Sequence, residues 1–486
     1  MYLGLDIGTS SVKGVLIDAR QKILATATSP LMVSRPRPGW SEQKPEDWWK
    51  AVNAVVRVLA MAKPKAMAAV EGIGLSGQQH GATLLDRADK VLRPAILWND
   101  ARAFAECKEI EVREPRAREI AGNIPLAGFT APKLVWVKKH EPHVFEKVAK
   151  VLLPKDYVRL RMTGEYASDM SDSAGTFWLD VEKRQWSDAL LAASGMSRDQ
   201  MPKLHEGTDA TGILTPAVAR AWGMAKRPVV AGGGGDNAAA ACGIGAVTPG
   251  SAFISLGTSG VLFVSNDRFR PNTEGAVHAF CHAVPGTWHQ MGVILSAAAS
   301  IEWLATLLKT PAPKLTAALG KRVNGPSPVM FLPYLSGERT PVADAEVRGL
   351  LMGLGHETDA KILTHAVLDG VAFAFRDCIE ALKAAGTDVK RVTAVGGGSR
   401  SELWLKIIAT ALGIPVDIPA AGDFGGAFGA ARLGLIAATG ASYTQICTPP
   451  RIAKTIMPDL RIQMPYEMAY ARYVQIYPAT KEIDRL

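Results

Sequence analysis

The sequence predicts an α/β protein of two similar domains facing each other across a cleft. Three observations lead there. Strand, turn and helix signals alternate along the whole chain, the pattern of the α/β class. The 486 residues exceed what one ordinary core accommodates and suggest two large domains. A strand, a Gly-Thr-Ser turn and a second strand near the N-terminus recur about halfway along the chain.

Residues 1–18 read as two strands around the turn Gly8-Thr9-Ser10-Ser11. Hydroxyls and exposed backbone N–H groups at such a turn are phosphate-binding chemistry, and Lys13 adds a cation. Alone, such a fragment is as readily a plain hairpin. The second copy, residues 253–264 with Gly257-Thr258-Ser259 at its turn, favours two loops offered to one polyphosphate. Ser255 falls where Asp6 stands, so only the first copy carries the acid. Residues 243–250 are rich in turn formers and mark a junction, giving domains 1–245 and 246–486.

A helix is expected from Pro45, with Glu46 and Asp47 in its first turn and Trp48, Val52, Val55, Val56 and Leu59 on its apolar face. Trp40, Trp48 and Trp49 read as packing residues. Gly72-Ile73-Gly74-Leu75-Ser76-Gly77 matches GxGxxG, but Gln78-Gln79-His80-Gly81 follows where a dinucleotide-binding helix would open. It reads instead as a strand entering a polar turn, with Gln79 and His80 available to a hydroxylated substrate. Trp98 offers a flat face to a sugar, and Asp100 with Arg102 forms a pair. Another helix is expected from Pro132, and residues 168–176 read as a polar loop, lining the cleft or equally a solvated one.

In residues 231–241, four consecutive glycines precede a single carboxylate, Asp236, at a strand-to-helix junction. Neighbouring side chains are cleared away, as for an acid presented to a small ligand; Asp as a helix N-cap is the common alternative. Residues 331–341 read as an apolar strand and a charged turn, and residues 359–385 as a long helix capped by Thr358 and closed by Gly386. Val392 to Val395 leads into Gly396-Gly397-Gly398-Ser399-Arg400-Ser401, a glycine loop suited to an adenosine or α-phosphate. No GxxxxGK[ST] is present. Residues 425–431 suggest close helix packing, and residues 466–477 a last helix.

Composition excludes several classes. At 48% hydrophobic and 21% charged residues the chain is of globular type, and no apolar run approaches the ~20 residues of a membrane span. No basic leader precedes the first strand, so a cytoplasmic protein is expected. The five cysteines are scattered without CxxC, which indicates neither a disulfide framework nor a zinc site. The formal charge of +9 is spread along the chain, arguing for small anionic substrates and against nucleic acid.

Three glycine-hydroxyl loops and two separate acids suggest phosphoryl transfer from ATP, which needs positioning and charge neutralisation above all. Asp6 is placed to hold Mg²⁺ through water, and Asp236 to accept the proton of an attacking hydroxyl without a much raised pKa.

Asp6-Ile7-Gly8-Thr9-Ser10-Ser11, residues 128–136, Gly234-Gly235-Asp236-Asn237 and the stretch from Gly349 through Val371 resemble the FGGY carbohydrate kinases over nearly the whole chain. The resemblance implies two actin-like (ribonuclease H-like) ATPase domains around a central cleft, and MgATP-dependent phosphorylation of a sugar. It implies Asp236 as the base; Gln79, His80, Asp236 and Asn237 on the sugar; Thr9, Ser10, Lys13, Gly257 and Thr258 on phosphates; and Gly397, Gly398 and Ser401 near the adenosine. Trp40-Ser41-Glu42-Gln43, residues 77–81 and 97–100, and Pro154-Lys155-Asp156-Tyr157 resemble the bacterial members that act on D-xylulose at O5. Bacterial members can carry Met where Gln79 stands, which leaves ribulose, a hexulose, gluconate or glycerol as alternative substrates. A non-catalytic sugar sensor on the same scaffold is the alternative of another class. No nucleic-acid or membrane partner is expected, and a homodimer is allowed for.

Overall fold

The computed structural model describes residues 1–420 and 424–483. In the first strand, Tyr2–Ile7, Leu3, Leu5 and Ile7 share one fully buried face, packed with Trp48, Val52 and Leu59 of the Pro45–Ala62 helix. This strand pairs antiparallel with Ser11–Ile17 and parallel with Gly72–Gly77. Ile23–Pro30 extends the sheet on one side, Val229–Ala231 and Ala210–Ile213 on the other.

The second half repeats the plan. Ala252–Leu256 pairs antiparallel with Gly260–Asn266 and parallel with Val392–Val395, inside another seven-stranded sheet. The expected duplicated hairpin and the α/β class are thus both present. The halves share a core in which Phe253, Phe263 and Phe280 of the second pack with Phe129, Phe177 and Trp178 of the first.

The other face of the first sheet is covered by a helix from the second half of the sequence, Gly426–Thr439. It comes close because glycines face it. A Cβ at Gly4 would lie 1.8 Å from the Ala427 carbonyl oxygen, and one at Gly74 1.8 Å from that of Ala430. On the helix itself, a Cβ at Gly429 would lie 1.7 Å from the carbonyl oxygen of Ala239, in the neighbouring helix Asp236–Ile244. Glycine is a poor helix former, so its place here is explained by backbone contact. Gly429→Ala must force these helices apart, and a destabilisation of at least the ~1–3 kcal/mol typical of overpacking is expected in denaturant unfolding. An unchanged midpoint would show that the contact is not held in solution.

Two helix starts differ from the sequence reading. Thr130–His140 begins two residues before Pro132. The long helix is Ala360–Ala384, capped by Asp359, whose side chain accepts the Ile362 N–H at 2.9 Å, and not by Thr358. Both residues are good caps, and the sequence alone does not choose between neighbours. Residues 168–176 are not an open loop. Residues 168–174 lie in the buried strand Ala167–Asp169 and the helix Met170–Ala174 that Asp169 caps, and Gly175 follows as its C-cap. Among the described residues no helix is long and apolar enough to cross a membrane.

Candidate active site

The glycine run serves the backbone more than the carboxylate. Gly233 has φ 76°, and a Cβ there would lie 2.1 Å from the Leu75 carbonyl oxygen. Gly234 and Gly235 make room for side chains, since a Cβ would lie 3.1 Å from the Ala283 Cβ at the first and 2.7 Å from Gln79 Nε2 at the second. Gly235 is the cap, and Asp236 is the first residue of the helix Asp236–Ile244. The N-cap role for Asp236 is therefore not observed. Its Oδ1 accepts the Asn237 backbone N–H at 2.7 Å and the Asn237 side-chain amide at 2.9 Å.

A helix N-terminus favours a carboxylate, yet here burial and then the charge of Asp6 outweigh it and push Asp236 up to about 7. The mechanism read from the sequence does not require such a shift, and Asp6 is too far away in the chain for its proximity to be read. As a base Asp236 works deprotonated, so kcat/KM for the acceptor is expected to rise about tenfold per pH unit below pH ~7 and level off above it. A flat profile through that range would contradict the assignment.

Asp6 stands opposite Lys13 in the first hairpin, and Ser76 Oγ donates to its Oδ1 at 2.7 Å. A Cβ on Gly426 would lie 3.2 Å from the same oxygen, so the start of the covering helix sits over this acid. Among the described residues no three His, Cys, Asp or Glu side chains gather into a metal-binding group. A protein cage for a cation is absent there. Asp6 fits the other mode, in which one or two carboxylates share Mg²⁺ with substrate phosphates and water.

The first phosphate loop is braced from below. Thr9 Oγ1 donates to Gln78 Oε1 at 2.9 Å and accepts the Trp98 indole N–H at 2.9 Å. Gln78 Nε2 donates to Gln43 Oε1 at 2.9 Å, and Gln43 Nε2 to the Thr9 carbonyl at 2.7 Å. The Thr9 hydroxyl thus shapes the loop, while Ser10 is exposed. Trp98 is 39% exposed, and its polar edge belongs to this loop. Asp100 and Arg102 pair at 2.7 Å as expected, with Arg102 stacked over Trp40 at 3.6 Å. Gln43 and Gln78 had no assigned role in the sequence reading, which has no signal for a pairing across 35 positions.

The Gln79-His80 turn is fixed equally firmly. His80 adopts φ 67°, a conformation that persists in a non-glycine residue only when its surroundings impose it. Lys133 Nζ and Thr130 Oγ1 donate to its carbonyl at 2.8 and 3.2 Å, and its Nδ1 lies 2.5 Å from the Gly175 carbonyl. A carbonyl only accepts, so Nδ1 carries the proton and Nε2 is left as an acceptor. Burial and the Lys133 charge hold the ring neutral, with its pKa lowered to about 3. Gln79 Nε2 donates to the Ser171 carbonyl at 3.2 Å.

Gly257, Thr258, Gly397, Gly398 and Ser401, placed on a nucleotide by the sequence reading, all line one cavity of about 990 Å³ in the second half. Leu256, Ile301 and Pro313 give it apolar walls, and its size is that of a small-molecule site. Arg400 lines both this cavity and a neighbouring one of about 910 Å³ that reaches Asn237 beside Asp236. The nucleotide candidates and the acid helix therefore share one cleft region.

Beneath the glycine run lies a buried ionic cluster. Lys155 Nζ is 2.5, 2.8 and 3.2 Å from Asp156, Asp169 and Asp172, all fully buried. Burial pushes the Asp172 carboxyl well above the usual carboxylate range against the pull of Lys155, and Arg159 stands 3.8 Å from Asp156. Arg159 donates to the Ala231 and Gly232 carbonyls at 2.6 and 2.5 Å, and Ser171 Oγ accepts the Gly235 N–H at 3.1 Å. The cluster thereby holds the segment that ends at Asp236.

Comparison with known proteins gives a consistent picture. Residues 1–243 match the N-terminal domain of the FGGY family of carbohydrate kinases, and residues 252–438 its C-terminal domain. The chain is 48% identical to a xylulose kinase of Escherichia coli, over 100% of this chain and 98% of that protein. It superposes on the crystal structure of a xyloylose kinase from Brucella ovis with TM-score 0.97 at 57% identity, covering 99% of each chain. A xylulose kinase from Rhodospirillum rubrum matches with TM-score 0.92 at 28% identity over 100% of both.

Proposed function

The chain belongs to the FGGY family of carbohydrate kinases, and on that premise we propose that it transfers the γ-phosphoryl group of ATP to O5 of D-xylulose. The observation that carries the reading is Asp236, held at a helix start beside Asp6 with its pKa raised to about 7. The substrate is supported by full-length relatives that are xylulose kinases.

In this reading ATP lies in the 990 Å³ cavity, its adenosine against Gly397, Gly398 and Ser401 and its phosphates between Gly257-Thr258 and Thr9-Ser10-Lys13. The sugar lies against Gln79, His80 and Asn237, with Trp98 at the rim of the first loop. The acceptor hydroxyl donates its proton to Asp236 as its oxygen attacks phosphorus, so negative charge on the oxygen builds only as the new bond forms. A raised carboxylate is the stronger base for that transfer. Asp6 would hold Mg²⁺, which neutralises phosphate charge when bound. Neutral His80 accepts a sugar O–H through Nε2 without adding charge.

ADP release with MgATP, measured against D-xylulose, D-ribulose, L-ribulose, L-xylulose, D-fructose, gluconate and glycerol, tests the reading. D-xylulose is expected to give the highest kcat/KM. A higher value for another polyol would move the specificity and leave the reaction in place; no turnover on any of them would favour the sugar sensor.

A further inference from the structure

Arg339 is a cation that the chemistry so far leaves unused. It lies in the charged turn after the strand Met330–Leu332. The neighbouring acid Glu338 acts on its charge but is engaged by backbone groups instead of pairing with it. Glu338 Oε1 accepts the backbone N–H groups of Leu295 and Arg339, each at 2.8 Å, and burial raises the carboxyl to about 8. Arg339 forms no ion pair with a carboxylate among the described residues.

Among the described residues its one side-chain hydrogen-bond partner is His278, and the direction of that bond follows from the groups behind it. Asn123 Nδ2 donates to the carbonyls of Ala121 and Ala279 at 2.8 and 2.9 Å, which fixes the amide and makes its Oδ1 an acceptor. His278 Nδ1, 3.0 Å from that oxygen, must then carry the proton. Its Nε2 is left to accept from Arg339 Nη1 at 3.3 Å. One long bond to a neutral ring uses one of five guanidinium donors. Arg339 is half-buried, and none of its remaining donors is among the buried unpaired atoms of the described residues, so they stay open to solvent and to a ligand.

The ligand is indicated by what surrounds this turn. The His278 ring packs 5.7 Å from Phe129, which packs 4.7 Å from His80, and the Arg339 charge is close enough to act on His80. Arg339 does not line the nucleotide-sized cavity. The geometry points to Arg339 as a sugar-recognition residue contributed by the second half, its planar fork donating to two neighbouring oxygens of the polyhydroxylated acceptor held by Gln79 and His80. This rests on the sugar-kinase reading and extends it: the acceptor is gripped from both halves. The Asn123–His278 chain preorganises the guanidinium for that contact.

The test is calorimetric binding of D-xylulose, without nucleotide, to the wild type, Arg339→Lys and Arg339→Gln, with ATP binding measured alongside. Losing charge-assisted hydrogen bonds predicts about 10- to 100-fold weaker sugar binding in Arg339→Gln. Arg339→Lys restores little, because lysine keeps the charge and loses the fork. ATP affinity is expected to stay within about twofold. Unchanged sugar binding in both variants overturns the inference, and so does an equal loss of sugar and ATP affinity, which a merely structural residue would produce. A wild type that binds D-xylulose without phosphorylating it would defeat the kinase reading instead, since the Arg339 comparison is made without transfer.

Discussion

Asp236→Asn is expected to lower kcat by about 10²- to 10⁴-fold, the usual worth of a positioned general base, with ATP affinity within about twofold of wild type. The amide is nearly isosteric and can still accept the Asn237 N–H through its oxygen. The variant therefore removes proton acceptance and charge, leaving the helix start intact. It also relieves the repulsion that Asp6 exerts, so a modest gain in stability is consistent with the account. The pH dependence near 7 should vanish from whatever activity remains. Single-turnover rates with saturating sugar and ATP check this, and a kcat within about tenfold of wild type would remove Asp236 as the base.

Lys155→Met carries the largest expected effect on stability. It leaves Asp156, Asp169 and Asp172 facing an apolar side chain, with Arg159, 3.8 Å from Asp156, as the remaining cation. Breaking a buried pair by removing one partner costs about 3–5 kcal/mol, and loss of soluble protein is the coarse form of the same result. Asp172→Asn is the matched control. Burial pushes the Asp172 carboxyl toward its neutral form, which an amide of the same shape mimics, and a cost under about 1.5 kcal/mol is expected. Denaturant unfolding of the pair checks both. Equal destabilisation by the two variants would show that Asp172 is held as a carboxylate. Because Arg159 and Ser171 hold the glycine run, milder cluster variants should lower kcat before they unfold the chain.

The local features were the legible ones. The repeated hairpin, the helix at Pro45, the strand replacing a dinucleotide fold at Gly72 and the glycine loop at Gly396 each announce themselves within a dozen residues. The five nucleotide candidates of the second half come together in one cavity. What sequence reasoning missed lies in pairings between distant segments. Gln43 and Gln78 brace Thr9, Asp6 raises Asp236, and Lys155 gathers three acids of which two stand more than a dozen positions away. The glycines before Asp236 show the same limit. Their small size was evident, but its use depends on Leu75 and Gln79, which only folding brings alongside. The helix Gly426–Thr439 likewise looked tightly packed in sequence, and nothing local revealed that its partner sheet belongs to the other half.

The most direct measurement of the central claim is ³¹P NMR of MgATP and D-xylulose incubated with the wild type and, in parallel, with Asp236→Asn. The account predicts a new phosphate monoester, coupled to the two C5 protons, forming with ADP in equal amounts in the wild type and nearly absent in the variant. ADP accompanied by inorganic phosphate alone, or the same ester formed at a comparable rate by Asp236→Asn, would contradict it.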